Sequence, residues 1–221
     1  MFPLAPLSPL EVRALGVLAE KQLTTPNYYP LTLNALVTGC NQKSNRDPVI
    51  QASEAEVQAA LESLKRQTLV IESYGASGRV MRYAHNLPKV LNLGQQMTAL
   101  LAVLMLRGPQ TAGELRIGCD RLYSFADISS VEAFLGEMTM RPTGALVVKL
   151  PKQPGSREHR WAHTLSAVPD YEAKASAPDS RNPITIGEIA ALNSALAQLR
   201  DEVAQLRALV ERLYQRLGVS P

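Results

Sequence analysis

Cysteine is scarce in this chain. Its two residues, Cys40 and Cys119, lie 79 positions apart and form no CxxC pair. The three histidines, at positions 85, 159 and 163, lie near neither cysteine, so no zinc-ligand spacing exists and no metal or cofactor is expected. Aromatic residues make up only 5% of the chain. Long apolar runs are missing too. The longest, Ala99–Leu106, is far short of the roughly 20 residues that a membrane-spanning helix needs. The N-terminal MFPLAPLSPL lacks a basic region and is interrupted by prolines, which argues against a signal peptide. These absences predict a cytoplasmic protein with no membrane partner. Enzyme chemistry finds no support either. There is no glycine-rich phosphate loop, and no Ser–His–Asp, Cys–His or paired-carboxylate motif stands out. No catalytic residue is assigned.

What is present is an ordinary globular composition. Apolar residues are 46% and charged residues 19% of 221, enough to bury a core and too apolar for a disordered chain. The net charge of +3 is uneven: residues 1–88 hold 8 cations and 7 anions, 89–168 hold 9 and 6, and 169–221 hold 6 and 7. The middle third is mildly basic, which permits nucleic-acid binding without demanding it.

An internal repeat sets the architecture. Tyr83-Ala84-His85-Asn86-Leu87 recurs as Trp161-Ala162-His163-Thr164-Leu165 at an offset of 78, and Gly39-Cys40 recurs as Gly118-Cys119 at 79. The repeat predicts two duplicated segments of about eighty residues. In the first, Ser8-Pro9 opens a helix carrying Val12, Leu15, Ala19 and Leu23 at helical spacing. A proline-rich break at 25–30 precedes a short helix over 31–39. Ser53 and Glu56 form a capping box that starts a third helix with Val57, Leu61 and Leu64 on one face. Strands over 68–74 and 79–85 flank the turn Gly75-Ala76-Ser77-Gly78. The second segment repeats the order. Helices are expected over 93–106 and 111–118, and a third from a Ser129–Glu132 capping box to about Met140. Strands over 145–150 and 160–165 then flank a wing. Three helices followed by a hairpin is the order of a winged helix. The expected fold is therefore mainly α with small β-wings: winged-helix domains at 1–88 and 89–168, a linker at 169–187 and a helix at 188–221. The repeated cysteines and histidines read as shared packing positions.

The stretch Glu20-Lys21-Gln22-Leu23-Thr24-Thr25-Pro26, then Tyr28-Tyr29-Pro30-Leu31-Thr32-Leu33-Asn34-Ala35-Leu36 and Cys40-Asn41-Gln42-Lys43-Ser44-Asn45-Arg46-Asp47-Pro48-Val49, resembles the YceH-like family of uncharacterised bacterial proteins. The likeness extends over about residues 8–168. It implies a tandem winged helix and brings no biochemical activity with it.

Beyond residue 188, apolar residues alternate at steps of three and four. Ile189, Leu196, Val203, Val210 and Leu217 occupy a positions, and Leu192, Leu199, Leu206 and Leu213 occupy d positions. β-Branched residues at most a sites with Leu at every d predict a parallel two-stranded coiled coil and hence a homodimer. Glu202 and Arg207 are placed to pair between chains. The alternative is a lone amphipathic helix packed on its own chain, which normally carries a wider apolar stripe.

Two functions compete. In a DNA-binding regulator, helix three enters the major groove and the wing meets the backbone. Lys43, Ser44, Asn45 and Arg46 before helix three, Arg79 and Arg82 on the first wing, and Lys152, Arg157 and Arg160 on the second are the candidate phosphate contacts. Gln58 is the candidate base reader in the first third helix. Against this, that helix carries Glu54, Glu56 and Glu62 ahead of Lys65 and Arg66. Its counterpart carries Glu132 and Glu137 with no cation before Arg141. The alternative is a dimeric winged-helix adaptor that binds protein, as in subunits of bacterial chromosome-organising complexes. In that case the apolar helix at 93–106 buries against the first domain or against a partner.

Overall fold

The computed structural model describes residues 5–74, 80–152, 155–156 and 158–166. The expected coiled coil, all nine of its a and d residues, the linker, and two of the wing cations, Arg79 and Arg157, lie outside the described residues.

The first repeat begins with α1 (Pro9–Thr24). Ser8 caps it, accepting from the Glu11 N–H while the Glu11 carboxylate accepts from the Ser8 N–H, a reciprocal box that satisfies two end donors. A 3₁₀ turn (Pro26–Tyr28) leads to α2 (Leu33–Cys40), capped by Thr32. Next comes α3 (Glu54–Arg66), opened by the expected Ser53–Glu56 box. Strands β1 (Val70–Tyr74) and β2 (Met81–His85) form an antiparallel hairpin, and Leu31 bridges to Tyr83 on its other edge. A short helix α4 (Leu87–Leu91), not foreseen, crosses the expected boundary at residue 88.

The second repeat runs through α5 (Gln95–Arg107), β3 (Gln110–Thr111), α6 (Ala112–Cys119), α7 (Ile128–Thr139), β4 (Val147–Lys149) and β5 (Arg160–His163). Its sheet order is β3-β5-β4, antiparallel throughout. The α7 cap differs from expectation. Asp127, not Ser129, accepts from the Ser130 N–H at 2.7 Å, and the helix starts at Ile128. Asp is at least as good a cap as Ser, and capping from Asp127 turns Val131, Leu135 and Met138 together into the core. The result is a mixed α+β fold with seven α-helices and two small antiparallel sheets among the described residues. Its helix–helix–helix–hairpin order, met twice, is compatible with winged helices.

The described residues share one compact unit. Its axis is the pair α1 and α5. Glu11–Ala19 and Met97–Leu106 are each buried without interruption, so over these spans both helices are enclosed on all sides. Gly16 marks their crossing: a Cβ there would stand 3.0 Å from Leu106 and 3.1 Å from Met105. The apolar helix of the second repeat thus covers its surface with the first repeat. Backbone bonds from Leu7 N–H to Leu165 and from Asp47 N–H to Leu106 add to the join. Among the described residues no helix is long and apolar enough to cross a membrane.

Candidate interaction surfaces

The two repeats superimpose in sequence more fully than the first matches implied. At an offset of 79, Pro30, Leu31, Thr32, Leu36 and Cys40 correspond to Pro109, Gln110, Thr111, Leu115 and Cys119. Thr32 and Thr111 both cap the second helix. The Leu31–Tyr83 bridge is matched by the Gln110–Trp161 pair. Arg82 donates to the Pro30 carbonyl and Arg160 to the Pro109 carbonyl, each at 2.8 Å. Both wing arginines therefore tie the hairpin to the turn before helix two. Arg160 also forks onto Glu114, at 3.0 and 3.1 Å. These guanidiniums, expected to meet phosphates, have structural partners inside the fold.

Arg46 is a clearer correction. It was expected as an exposed cation and its side chain is fully enclosed. The guanidinium forks onto Glu20 at 3.1 and 2.7 Å and donates to the carbonyls of Gly39 and Asn45. Burial by itself raises the Glu20 pKa. The hydrogen bonds and charge of Arg46, with help from Lys21, outweigh it and hold the carboxyl below its ordinary range. Beside it, buried Arg13 donates to the carbonyls of Cys40 and Pro48. The Asn41 amide clamps Ala52 through both its oxygen and its nitrogen. Together these bonds shape the whole 41–53 loop. What the loop shows to solvent is Lys43, Ser44 and Asn45, followed by Asp47, Pro48 and Val49. Asn45 sits at φ 57°, a left-handed position that asparagine tolerates better than most residues.

Gln58, the candidate base reader, is half-buried and engaged. It accepts from the Tyr83 hydroxyl and donates to Glu62. Lys65, at the end of the same helix, is bonded to Glu62 and Glu72. The outward residues of α3 are Glu54, Ala55, Glu56, Ala59 and Arg66, and those of α7 are Ile128, Ser129, Glu132, Ala133 and Glu137. Lys152 is exposed on the second wing. Of the eight candidate nucleic-acid contacts among the described residues, Lys43, Ser44, Asn45 and Lys152 are exposed. They do not share one helix face.

Sequence reasoning missed the exposed apolar positions. Ile117 is 75% exposed, Ile128 47% and Met140 86%. Continuing the repeat alignment through α6 and α7 would have flagged them, because their first-repeat counterparts, Thr38, Glu54 and Arg66, are polar.

The repeated cysteines and histidines are interior groups. Burial pushes the Cys40 thiol up to about 11, against the opposing pull of Arg13 and Arg46, and Cys119 up to about 12. Both are free thiols. Burial lowers His85 and His163 to about 4. The His85 ring accepts from the Leu87 N–H and so offers its Nε2–H to Gln22 at 2.6 Å, a tautomer assigned from these partners. No group of three or more His, Cys, Asp or Glu able to hold a metal ion occurs among the described residues.

Comparison with known proteins agrees with the resemblance read from the first repeat. A family model described as "Protein of unknown function, DUF480" matches residues 7–156. A "UPF0502 protein" of Dechloromonas aromatica is 56% identical over 205 residues, covering 92% of this chain and 94% of its own. One from Burkholderia orbicola is 51% identical over 216 residues, covering 96% and 90%. One from Cupriavidus metallidurans is 50% identical over 222 residues, covering 99% and 89%. The chain belongs to this DUF480 family of UPF0502 proteins.

Proposed function

We propose that the chain is a non-enzymatic protein-binding adaptor, built from two tandem winged helices and paired as a homodimer through residues 188–221. One observation carries the reading: both third helices, where a winged helix would meet DNA, turn carboxylates outward. Glu54, Glu56, Glu132 and Glu137 are all exposed, and α7 contains no Lys or Arg. Carboxylates repel phosphates, and base reading normally uses Arg, Lys, Asn or Gln. Four of the side chains that would have offset them, Arg46, Gln58, Arg82 and Arg160, are held by partners within the fold.

The DNA-binding reading keeps one supporting observation, the exposed Lys43-Ser44-Asn45 tip on a firmly braced loop. The decisive experiment is duplex binding by the full chain across a salt series. Phosphate contacts release counterions, so each one adds roughly one unit to the slope of log affinity against log salt. The adaptor reading expects no salt-dependent affinity for genomic duplexes at low ionic strength. A steep slope that Lys43→Ala and Lys152→Ala flatten would overturn it. Light scattering on the same protein checks the dimer: Leu199→Lys with Leu206→Lys should give monomers, and an unchanged mass would remove residues 188–221 from the interface.

A further inference from the structure

We infer that the outward face of α7, continued by Ile117 of α6, docks a basic amphipathic helix from a partner protein. This rests on the adaptor reading and names its surface.

The face is continuous. Ile128 Cδ1 would lie 3.8 Å from a Cβ placed on Gly113, and Ile117 follows Gly113 by one turn of α6. Ile128 therefore lies over Gly113, one turn of α6 before Ile117. Along α7 the outward positions run from Ile128 through Ser129, Ala133 and Gly136 to Met140, the C-cap. A Cβ on Gly136 would meet nothing within 4 Å. Twelve residues of helix give a ridge of about 18 Å. Apolar side chains stand at both ends, and the row between them passes through the exposed Glu132 and the small Gly136, with Ser129 and Ala133 beside it.

The scaffold does not require this surface. A lone exposed apolar side chain is common and carries no meaning. Here the duplication supplies a control: aligned through α2/α6 and α3/α7, the first repeat has Thr38, Glu54 and Arg66 where the second has Ile117, Ile128 and Met140. The same framework is thus built with polar residues at all three positions.

Charge selects the occupant. Glu132 stands on the ridge, one turn from Ile128, and Glu137 stands beside it; neither joins an ion pair among the described residues. The neighbouring Arg116 and Arg141 donate to backbone carbonyls, of Ala126 and of Leu91 and Asn92. A covering helix must therefore bring apolar residues for the ridge and Lys or Arg for the two carboxylates. Phosphate is repelled. A second copy related by a two-fold axis would bring the same two carboxylates against themselves, and like charges across an interface are costly.

The test uses the full chain with labelled Ile and Met methyls. It is titrated with an amphipathic Leu/Lys peptide of roughly five turns and, separately, with its Leu/Glu counterpart. The Leu/Lys peptide should shift the methyls of Ile117, Ile128 and Met140 and leave Ile71, exposed on the first repeat, in place. The Leu/Glu peptide should shift none of them. Ile117→Thr with Ile128→Glu, which copies the first repeat, should weaken the Leu/Lys peptide at least tenfold. Glu132→Lys with Glu137→Lys should transfer the preference to the Leu/Glu peptide. All four changes are at exposed sites, and an unaltered thermal melt checks the fold. Shifts centred on first-repeat methyls would discard this face and leave the adaptor reading standing. No shift with either peptide, together with salt-dependent duplex binding, would discard both. If the same methyls move with protein concentration alone, or on Leu199→Lys with Leu206→Lys, a second copy or the chain's own C-terminal residues hold the face and the inference fails.

Discussion

Between α2 and α3 the first repeat has residues 41–53; between α6 and α7 the second has only residues 120–127. The helices on either side align, so the five extra residues are an elaboration of one loop. They demand internal charge. Arg13 and Arg46 enter the core to bond the last carbonyls of α2, at Gly39 and Cys40, and the loop carbonyls of Asn45 and Pro48, and Glu20 balances Arg46. The second repeat, with the shorter loop, braces it by an exposed Arg116 reaching Ala126 and by an apolar packing of Phe125 between Tyr123 and Phe134. Its unusual residues lie outside instead, at Ile117, Ile128 and Met140. One copy of the duplicated fold has turned polarity inward to hold a loop; the other exposes apolar side chains on its second and third helices, whereas those of the first repeat, Tyr28, Val49, Ile71, Tyr74 and Val80, lie on its loops and hairpin. That division is what separates a shaped loop from an uncovered helix face.

The largest effect should come from breaking the internal charge. Arg46→Met takes the bidentate partner from the largely buried Glu20 carboxylate and leaves it only the part-exposed Lys21, and removing one member of a buried pair costs about 3–5 kcal/mol. Arg116→Met in the second repeat, at an exposed site, should stay within about 0.5 kcal/mol. The pH dependence has a definite sign. Glu20 is held below its unfolded value, so its contribution is complete above that value and is lost as pH falls through the folded one. In Arg46→Met only Lys21 is left to oppose burial, so the Glu20 pKa rises and acid should narrow the gap between variant and parent. Urea unfolding at several pH values measures both. Equal costs for the two arginines would erase the contrast between the repeats.

The parts of this fold that were legible in sequence are those with local causes. Ser8-Pro9, the Ser53–Glu56 box and the β-rich runs around a glycine turn each act within a few residues, and each marks the element found. The Ser129–Glu132 spacing misled because it imitates a capping box while Asp127, two residues earlier, is the residue with extended backbone. Strand β3 and helix α4 are too short for any periodicity. Arg46 could not be read as buried, because its partner Glu20 lies 26 positions away and a basic loop residue is ordinarily solvated. The α7 face was hidden for a related reason. Spacing within α7 shows that Val131, Leu135 and Met138 share a side; that Ile117 and Ile128 are left out of it shows in the polar first-repeat counterparts and in the structure, not in the spacing.

An intermediate effect should separate the paired glycines. Gly39 and Gly118 occupy the same position in α2 and α6, and each faces a valine of the first helix of its repeat. A Cβ on Gly39 would stand 2.6 Å from Val17 Cγ1, whereas one on Gly118 would stand 3.2 Å from Val103 Cγ1 and 3.4 Å from the flexible Arg107. Val17 is fully buried and β-branched, so it has no rotamer to yield into. Overpacking of this kind costs about 1–3 kcal/mol, set against about 1 kcal/mol gained by replacing a helical glycine with alanine. Gly39→Ala should therefore destabilise and Gly118→Ala should be near neutral in the same denaturation assay. If the order is reversed, the first repeat is the looser of the two.

The smallest effect, and the most specific, concerns the paired histidines. His85 and His163 stand at equivalent ends of β2 and β5, both lowered to about 4 by burial. A base with a depressed folded pKa stays neutral while the unfolded chain takes up a proton. Stability is therefore untouched at pH 7 and falls as pH drops below the unfolded value near 6.5, until the folded value is reached. The slope approaches about 1.4 kcal/mol per pH unit for each histidine. The two differ in their bonds: His85 satisfies Gln22 and the Leu87 N–H, whereas the buried His163 Nδ1 has no hydrogen-bond partner among the described residues. His85→Leu should cost about 1 kcal/mol at pH 7 through the partners it strands. His163→Leu should cost little there, and at pH 5 it should leave the protein more stable than the parent. Melting curves at the two pH values decide the matter. A His163→Leu variant that loses stability equally at both would mean that the ring is held by a bond rather than by burial alone.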